Sequence, residues 1–328
     1  MIEVATTPEQ LETQRRIRAV RLAIGVSILV CIVELALGWL LGLASLVAEG
    51  VHTFLDGFDS VIVLIAVILA ARPPDRSHQF GHGKFEALGA AVEASFVLAA
   101  AIGIAYESMD RLVHHQAPPE IPLYVCLIMS ITAAFYFCVS IYLMRIARET
   151  KSPAVLAEAL HLRTHIYITG GIAAGLAIGS VGDWPIADTL VALGVAVCLM
   201  GISLHIFREV YKQFMDEALP EEEIKQLGSI IDRFSEQFVE VHGLRTRQSG
   251  AERHIEMHLV VMPETSVSTA HALSHEIEDA ITGTWPTTRI TVHVEPLDTD
   301  RAARTDWFTD QPKVRTNDTS PDEREFMH

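Results

Sequence analysis

Six apolar stretches recur within the first 213 residues, each about 20 residues or longer and so able to cross roughly 30 Å of hydrocarbon. They run from Ile17 to Leu41, Leu43 to Ala71, Ala87 to Val113, Ile121 to Ile146, Pro153 to Val181, and Ile186 to Tyr211. Backbone amides in hydrocarbon must find partners inside their own segment, so each stretch is predicted as a helix. Basic residues orient the set. Arg15, Arg16, Arg18 and Arg21 precede the first stretch; Arg72, Arg76 and Lys84 follow the second; Arg145, Arg148 and Lys151 follow the fourth; Arg208 and Lys212 end the sixth. The connections on the other side offer only Arg111, which places both termini in the cytoplasm.

Charge divides the chain. Residues 1–213 hold 14 Lys+Arg and 18 Asp+Glu, whereas residues 214–328 hold 11 and 23, so most of the net charge of −16 belongs to the second part. This explains how a mean hydropathy of +0.29 coexists with so much acid. An acidic chain of pI near 5.3 lacks the clustered Lys/Arg that phosphate backbones require, so nucleic acid is not an expected partner. Cys31, Cys126, Cys138 and Cys198 lie in apolar stretches without CxxC spacing and read as small core residues. The first 16 residues are polar and have no apolar signal core, so no removable signal peptide is expected.

After Met215 the periodicity changes. Glu221 to Phe238 is predicted helical after Pro220, and Val239 to Arg247 reads as a strand ahead of the turn residues Ser249 and Gly250. From His254 to Met262 the pattern alternates, with Ile255, Met257, Leu259 and Val261 on one face and His254, Glu256 and His258 on the other. Ser268 to Thr282 reads as a helix capped by Ser268, and Arg289 to Glu295 alternates again. This order predicts a small α+β domain of ferredoxin-like type. The expected organisation is an N-terminal cytoplasmic segment 1–16, a six-helix transmembrane domain 17–213, a cytoplasmic domain 214–296 and a disordered tail 297–328.

Ionisable residues inside the spans are concentrated. Glu49, His52, Asp56 and Asp59 follow one another at intervals of three, four and three, which places them on one face of the second helix. Ionisable groups at membrane depth face protein or a water-filled path rather than lipid. The fifth span repeats the pattern, because Glu158, His161 and His165 stand at the spacing of Glu49, His52 and Asp56. If these faces meet, His52, Asp56, His161 and His165 supply three imidazoles and a carboxylate, a set suited to tetrahedral zinc. Glu49, Glu158 and Asp59 are open to supporting or interfacial roles, while Glu34 and Glu93 have no matched partner and are unassigned. In the loop after the second span, Asp75, His78 and His82 can converge on a metal because Gly81 and Gly83 let the backbone turn; polar loop residues capping the third helix are the other reading.

At these residues the chain resembles the cation diffusion facilitator family of divalent metal/proton antiporters. The motifs that carry the resemblance are Ser45-Leu-Val-Ala-Glu-Gly-Val-His-Thr-Phe-Leu-Asp56, Pro73-Pro-Asp-Arg-Ser-His-Gln-Phe-Gly-His-Gly-Lys-Phe-Glu-Ala-Leu88, Ala157-Glu-Ala-Leu-His-Leu-Arg-Thr-His165 and Met215-Asp-Glu-Ala-Leu-Pro220. The resemblance implies a homodimer of six-helix protomers, with a transport site between the second and fifth helices that uses His52, Asp56 and His161. It implies a loop site of Asp75, His78 and His82, and an interprotomer charge pair of Lys84 and Asp216. The stretch His242-Gly-Leu-Arg-Thr-Arg-Gln-Ser-Gly250 with His258, His271, His293 and Glu295 resembles the family's binuclear zinc site in the soluble domain. Strand alternation puts His258, His293 and Glu295 on the side away from the apolar residues, which fits a ligand set and fits a solvated face as well. His254 and His275 match no ligand position and read as surface residues.

One position departs from the family pattern. His165 stands where the family's zinc transporters usually carry aspartate, which removes one negative charge from the site. Nitrogen-rich ligation favours Zn(II), Co(II) or Fe(II) over Mn(II). The expected activity is therefore secondary transport, Zn(II) efflux in exchange for protons, with Fe(II) or Co(II) as alternative cargo and an inner (plasma) membrane location. An intramembrane metalloenzyme is the competing class, but the sequence has no H-E-x-x-H motif. A metal sensor that binds without translocation is the third reading, separable from transport by vesicle uptake.

Overall fold

The computed structural model describes residues 7–42, 44–114, 123–182, 186–297 and 315–316. The chain forms two compact units, Met1–Met215 and Asp216–His328.

The first unit contains six long helices: α1 (Pro8–Leu41), α2 (Ala44–Ala70), α3 (Lys84–His114), α4 (Leu123–Thr150), α5 (Pro153–Gly182) and α6 (Ala187–Phe214). Among the described residues, α1, α2, α3, α4 and α6 contain segments long and apolar enough to cross a membrane. The remaining helix, α5, carries Glu158, His161, Arg163 and His165 in its first half. Residues 8–16, expected to precede the first span, form the first turns of α1. Thr7 caps the helix through a reciprocal box with Gln10, and Pro8 occupies the first turn, where its missing N–H costs nothing.

Helix α3 lies against α6, α2 and α5, α1 lies against α2 and α4, and α4 lies against α5. The closest approach of α2 and α3 needs Gly89, where an added Cβ would stand 2.5 Å from the Ala66 methyl group. Polar ties then set the rotation of the helices. Arg16 on α1 forms a buried ion pair with Glu86 on α3, and Ser152, just before α5, donates to the same carboxylate at 2.5 Å. Ser140 on α4 donates to the Ala159 carbonyl on α5 at 2.7 Å.

The second unit begins with α7 (Glu221–Ile231), followed by a short 3₁₀ turn at Asp232–Phe234. The helix is thus shorter than the Glu221 to Phe238 expectation. Its apolar face is complete at Ile231, and Phe238 reaches the same core from beyond the turn. Strands β1 (Glu240–Ser249) and β2 (Glu252–Val261) form an antiparallel hairpin, α8 (Val267–Thr284) crosses over, and β3 (Thr288–Pro296) returns parallel to β2. Ser266 rather than Ser268 caps α8, since its hydroxyl accepts from the Thr269 amide at 3.1 Å. Ile255, Met257, Leu259 and Val261 are buried, as their alternation predicts, and pack with Leu273, Ile277 and Ile281 of α8. The sheet order is β3-β2-β1-β4, where β4 is the dipeptide Arg315–Thr316 paired with Val241 and Glu240. The rest of the expected tail beyond Leu297 lies outside the described residues.

Candidate functional site

Helices α2 and α5 bring three of the four expected donors of the helical unit together. Ligand atoms of Asp56, His161 and His165 lie within 4.8 Å of one another. His165 Nε2 stands 3.5 Å from Asp56 Oδ2, and His52 Nε2 is 3.7 Å from the same oxygen. Two ligands on one tetrahedral ion with bonds of about 2.1 Å are separated by roughly 3.4 Å, so these spacings suit shared coordination. Asp56 Oδ2 is buried and has no hydrogen-bond partner among the described residues. His52 sits at the rim, with its side chain 51% exposed, and falls outside the mutually close group.

The group faces a cavity of about 410 Å³ whose lining includes His52, Asp56, Asp59, His161, Thr164 and His165. Its walls are otherwise apolar, among them Phe58, Val97 and Leu199. His165 is held from behind by Tyr136, whose ring stacks on it at 4.4 Å. Glu158, one turn before His161, is fully buried and accepts from Ser60 Oγ at 2.7 Å. It therefore serves the α2–α5 interface. Glu34 has a similar place at the α1–α2 contact, where it accepts from Thr53 at 2.7 Å.

The sequence left Glu93 unassigned, yet it stands beside this group. Its Oε1 lies 2.8 Å from His161 Nδ1, and Asp59, Glu93 and His161 form a second cluster of three close donors. No spacing rule could have found it, because α3 carries no histidine near Glu93 and the residue meets His161 only through helix packing.

The loop brings its three expected residues together. His78 Nδ1 is 3.4 Å and His82 Nε2 3.3 Å from the two Asp75 oxygens. Asp75 also accepts from the Ser77 hydroxyl at 2.8 Å and from the Ser77 and His78 amides, and these donors hold its carboxyl well below the usual range. His82 is buried, with Nδ1 3.4 Å from the Arg72 carbonyl and Nε2 toward Asp75. Gly81 takes the positive φ of 85° that the turn needs, whereas Gly83 is not among the positive-φ glycines.

In the second unit the sheet register does what alternation could only suggest. His242 pairs with His258 and His258 with His293, so three imidazoles form a row across β1, β2 and β3, with ring centroids 5.1 and 5.0 Å apart. Glu295 closes the row. Its oxygens lie 2.9 Å from His258 Nδ1, 3.6 Å from His242 Nε2 and 3.6 Å from His293 Nε2. The register slips between His242 and Arg245, where Gly243 has φ 62°, and an added Cβ there would come within 3.3 Å of the His258 ring. His271 is not brought to this row within the chain. It lies exposed on α8, which covers the opposite, apolar face of the sheet, and its ring meets His275 at 4.4 Å. His254, expected at the surface, is half-buried and lines a cavity with Asp216, Arg247 and Glu256, and burial pushes its imidazole pKa down.

Lys84 opens α3 in the first unit. Asp216 has φ 52° and pairs with Arg247 at 3.2 Å in the second.

Residues 20–215 match the family described as "Cation efflux transmembrane domain", and residues 219–297 match "Cation efflux protein, cytoplasmic domain". A Synechocystis protein described as an uncharacterized transporter is 30% identical over 277 residues, which are 84% of this chain and 89% of that protein. The cation-efflux pump FieF of Cronobacter sakazakii is 30% identical over 280 residues, 85% of this chain and 92% of the pump. A solved structure of a putative zinc transporter, CzrB, is 38% identical, covers 24% of this chain and 99% of its own, and superposes with a TM-score of 0.24.

Proposed function

The chain belongs to the cation efflux, or cation diffusion facilitator, family, and from that premise we propose that it exports a divalent metal cation across the inner membrane in exchange for protons. Zn(II) is the first-choice cargo, with Fe(II) or Co(II) as the alternative. The observation that carries the reading is the meeting of Asp56, His161 and His165 at one cavity of the helical unit. One carboxylate and two imidazoles, with His52 at the rim as a fourth donor, form a nitrogen-rich set that suits these borderline ions.

Exchange follows from ligand chemistry. An imidazole ligates only when neutral, so loading a cation from the cytoplasmic side displaces whatever protons the ligand imidazoles carry, and reprotonation from the far side favours release. With both termini cytoplasmic, the 71–83 loop lies on the loading side. Asp75, His78 and His82 are suited to hold a second ion there, and His242, His258, His293 and Glu295 are suited to hold ions in the soluble unit. Metal in the soluble unit would offset repulsion between two acidic copies and support a homodimer, with the Lys84–Asp216 pair assigned to that assembly.

A cation panel in proteoliposomes with an internal pH reporter tests the reading. Zn(II), Co(II) or Fe(II) should drive coupled proton movement that Asp56→Asn abolishes. Flux with Mn(II) alone would overturn the ligand argument, and metal binding without flux would favour the sensor reading.

A further inference from the structure

We propose that Asp59, Glu93 and His161 form a second cation station in the helical unit, one that a divalent ion occupies in turn with the Asp56–His161–His165 set. The inference rests on the transport reading above and extends its path to a third helix. Ligand atoms of the three residues lie within 4.8 Å of one another, and all three side chains are buried. Glu93 is 1% exposed, and neither of its oxygens has a hydrogen-bond partner among the described residues. His161 Nδ1 stands 2.8 Å from Glu93 Oε1, within ion-pair distance, although the angles of a hydrogen bond are not met. A buried carboxylate left without donors is costly unless something charged compensates it. Two buried carboxylates and an imidazole whose ligand atoms all lie this close together suit joint coordination of a cation.

Charge and position support the same assignment. The Asp56 set offers one carboxylate against a doubly charged ion, the consequence of imidazole at position 165. Asp59 and Glu93 offer two, enough to neutralise it, and with one imidazole they make an oxygen-rich site. Asp59 is three residues beyond Asp56, about 4.5 Å along α2. It therefore lies toward the end of α2 that enters the 71–83 loop, and Glu93 is nine residues into α3 from the same loop. Asp59 and His161 line the cavity that Asp56 and His165 also line. A neutral imidazole has one lone pair, so His161 serves one station at a time and passes the ion between them. An ion arriving from the loop end meets the carboxylate-rich station first and the nitrogen-rich set second.

The test uses Zn(II) with the full chain, reading both proteoliposome uptake and equilibrium binding in detergent. Glu93→Gln and Asp59→Asn should each raise the Zn(II) KM at least about 10-fold, on the scale of lost metal-site support, and weaken binding in parallel. Glu93→Asp should recover part of both. Asp56→Asn should abolish uptake at every concentration. If Glu93→Gln and Asp59→Asn leave KM and binding within about twofold while Asp56→Asn abolishes uptake, the station is refuted and transport stands. An effect of Glu93→Gln without one of Asp59→Asn also refutes it, reducing Glu93 to a residue that positions His161. Weakened binding in both variants, in a protein that transports nothing, retains the site and refutes transport. Should Glu93→Gln fail to stay monodisperse, Glu93→Asp and Asp59→Asn decide by the same readings.

Discussion

Ser60 on α2 donates to Glu158 on α5 at 2.7 Å, one turn away from His161, so the contact that joins the two helices also sets the level at which their donors meet. Glu158 is fully buried, and its second oxygen has no partner among the described residues. Ser60→Ala strips the remaining donor from a buried carboxyl, and a cost of about 1–3 kcal/mol is expected. The thermal midpoint of the detergent-solubilised protein should fall, and Ser60→Thr should restore it. An unchanged midpoint in Ser60→Ala would show that the α2–α5 contact does not depend on this bond.

The Arg16–Glu86 pair joins α1 to α3 with both side chains almost fully buried. Removing one charge leaves the other uncompensated, and Arg16→Met should cost about 3–5 kcal/mol. The double variant Arg16→Met/Glu86→Leu should be more stable than the single, because it removes the stranded charge along with its partner. Thermal melts of the four proteins in the cycle measure the coupling, and additive losses would contradict it.

His165→Asp returns a carboxylate to the proposed transport set in place of an imidazole that ligates only when neutral. The proton-to-metal ratio in proteoliposomes or the dependence of rate on pH should change. Identical ratios and profiles in the two proteins would exclude His165 from coupling.

Burial holds the His254 pKa below its ordinary value, so the unfolded chain takes up the proton more readily than the folded one. The contribution to stability is complete above about pH 6.5 and is lost as the pH falls below it. His254→Gln should therefore lose less stability than the parent chain between about pH 7.5 and pH 5.5. Parallel thermal melts of the two proteins at the two pH values check the sign.

Much of the architecture could be read from local pattern. Apolar length located the helices of the first unit, and strict alternation assigned the buried face of β2 and hence the side on which His258 lies. The i, i+3 and i, i+4 spacings put Asp56 with Asp59 and His161 with His165 on single helical faces, since those relations follow from helix geometry alone. Element ends were less legible. The expected α7 ran past Ile231 and the cap of α8 was misplaced by two residues, because a short turn and one hydroxyl bond decide each of them.

What the sequence by itself determined is which residues share a helix face or a strand face, because those periods are properties of the backbone. Only tertiary structure decided which faces meet. Packing of α3 against α2 and α5 carries Glu93 to His161 from 68 positions away in the chain, and no local period encodes that meeting. Strand register aligns His242, His258 and His293, while α8, committed to the apolar face of the same sheet, keeps His271 away from them. The reason is physical: a buried charge is tolerated where a partner from another element reaches it, and that depends on how rigid helices and strands rotate and pack rather than on the order of residues within any one of them.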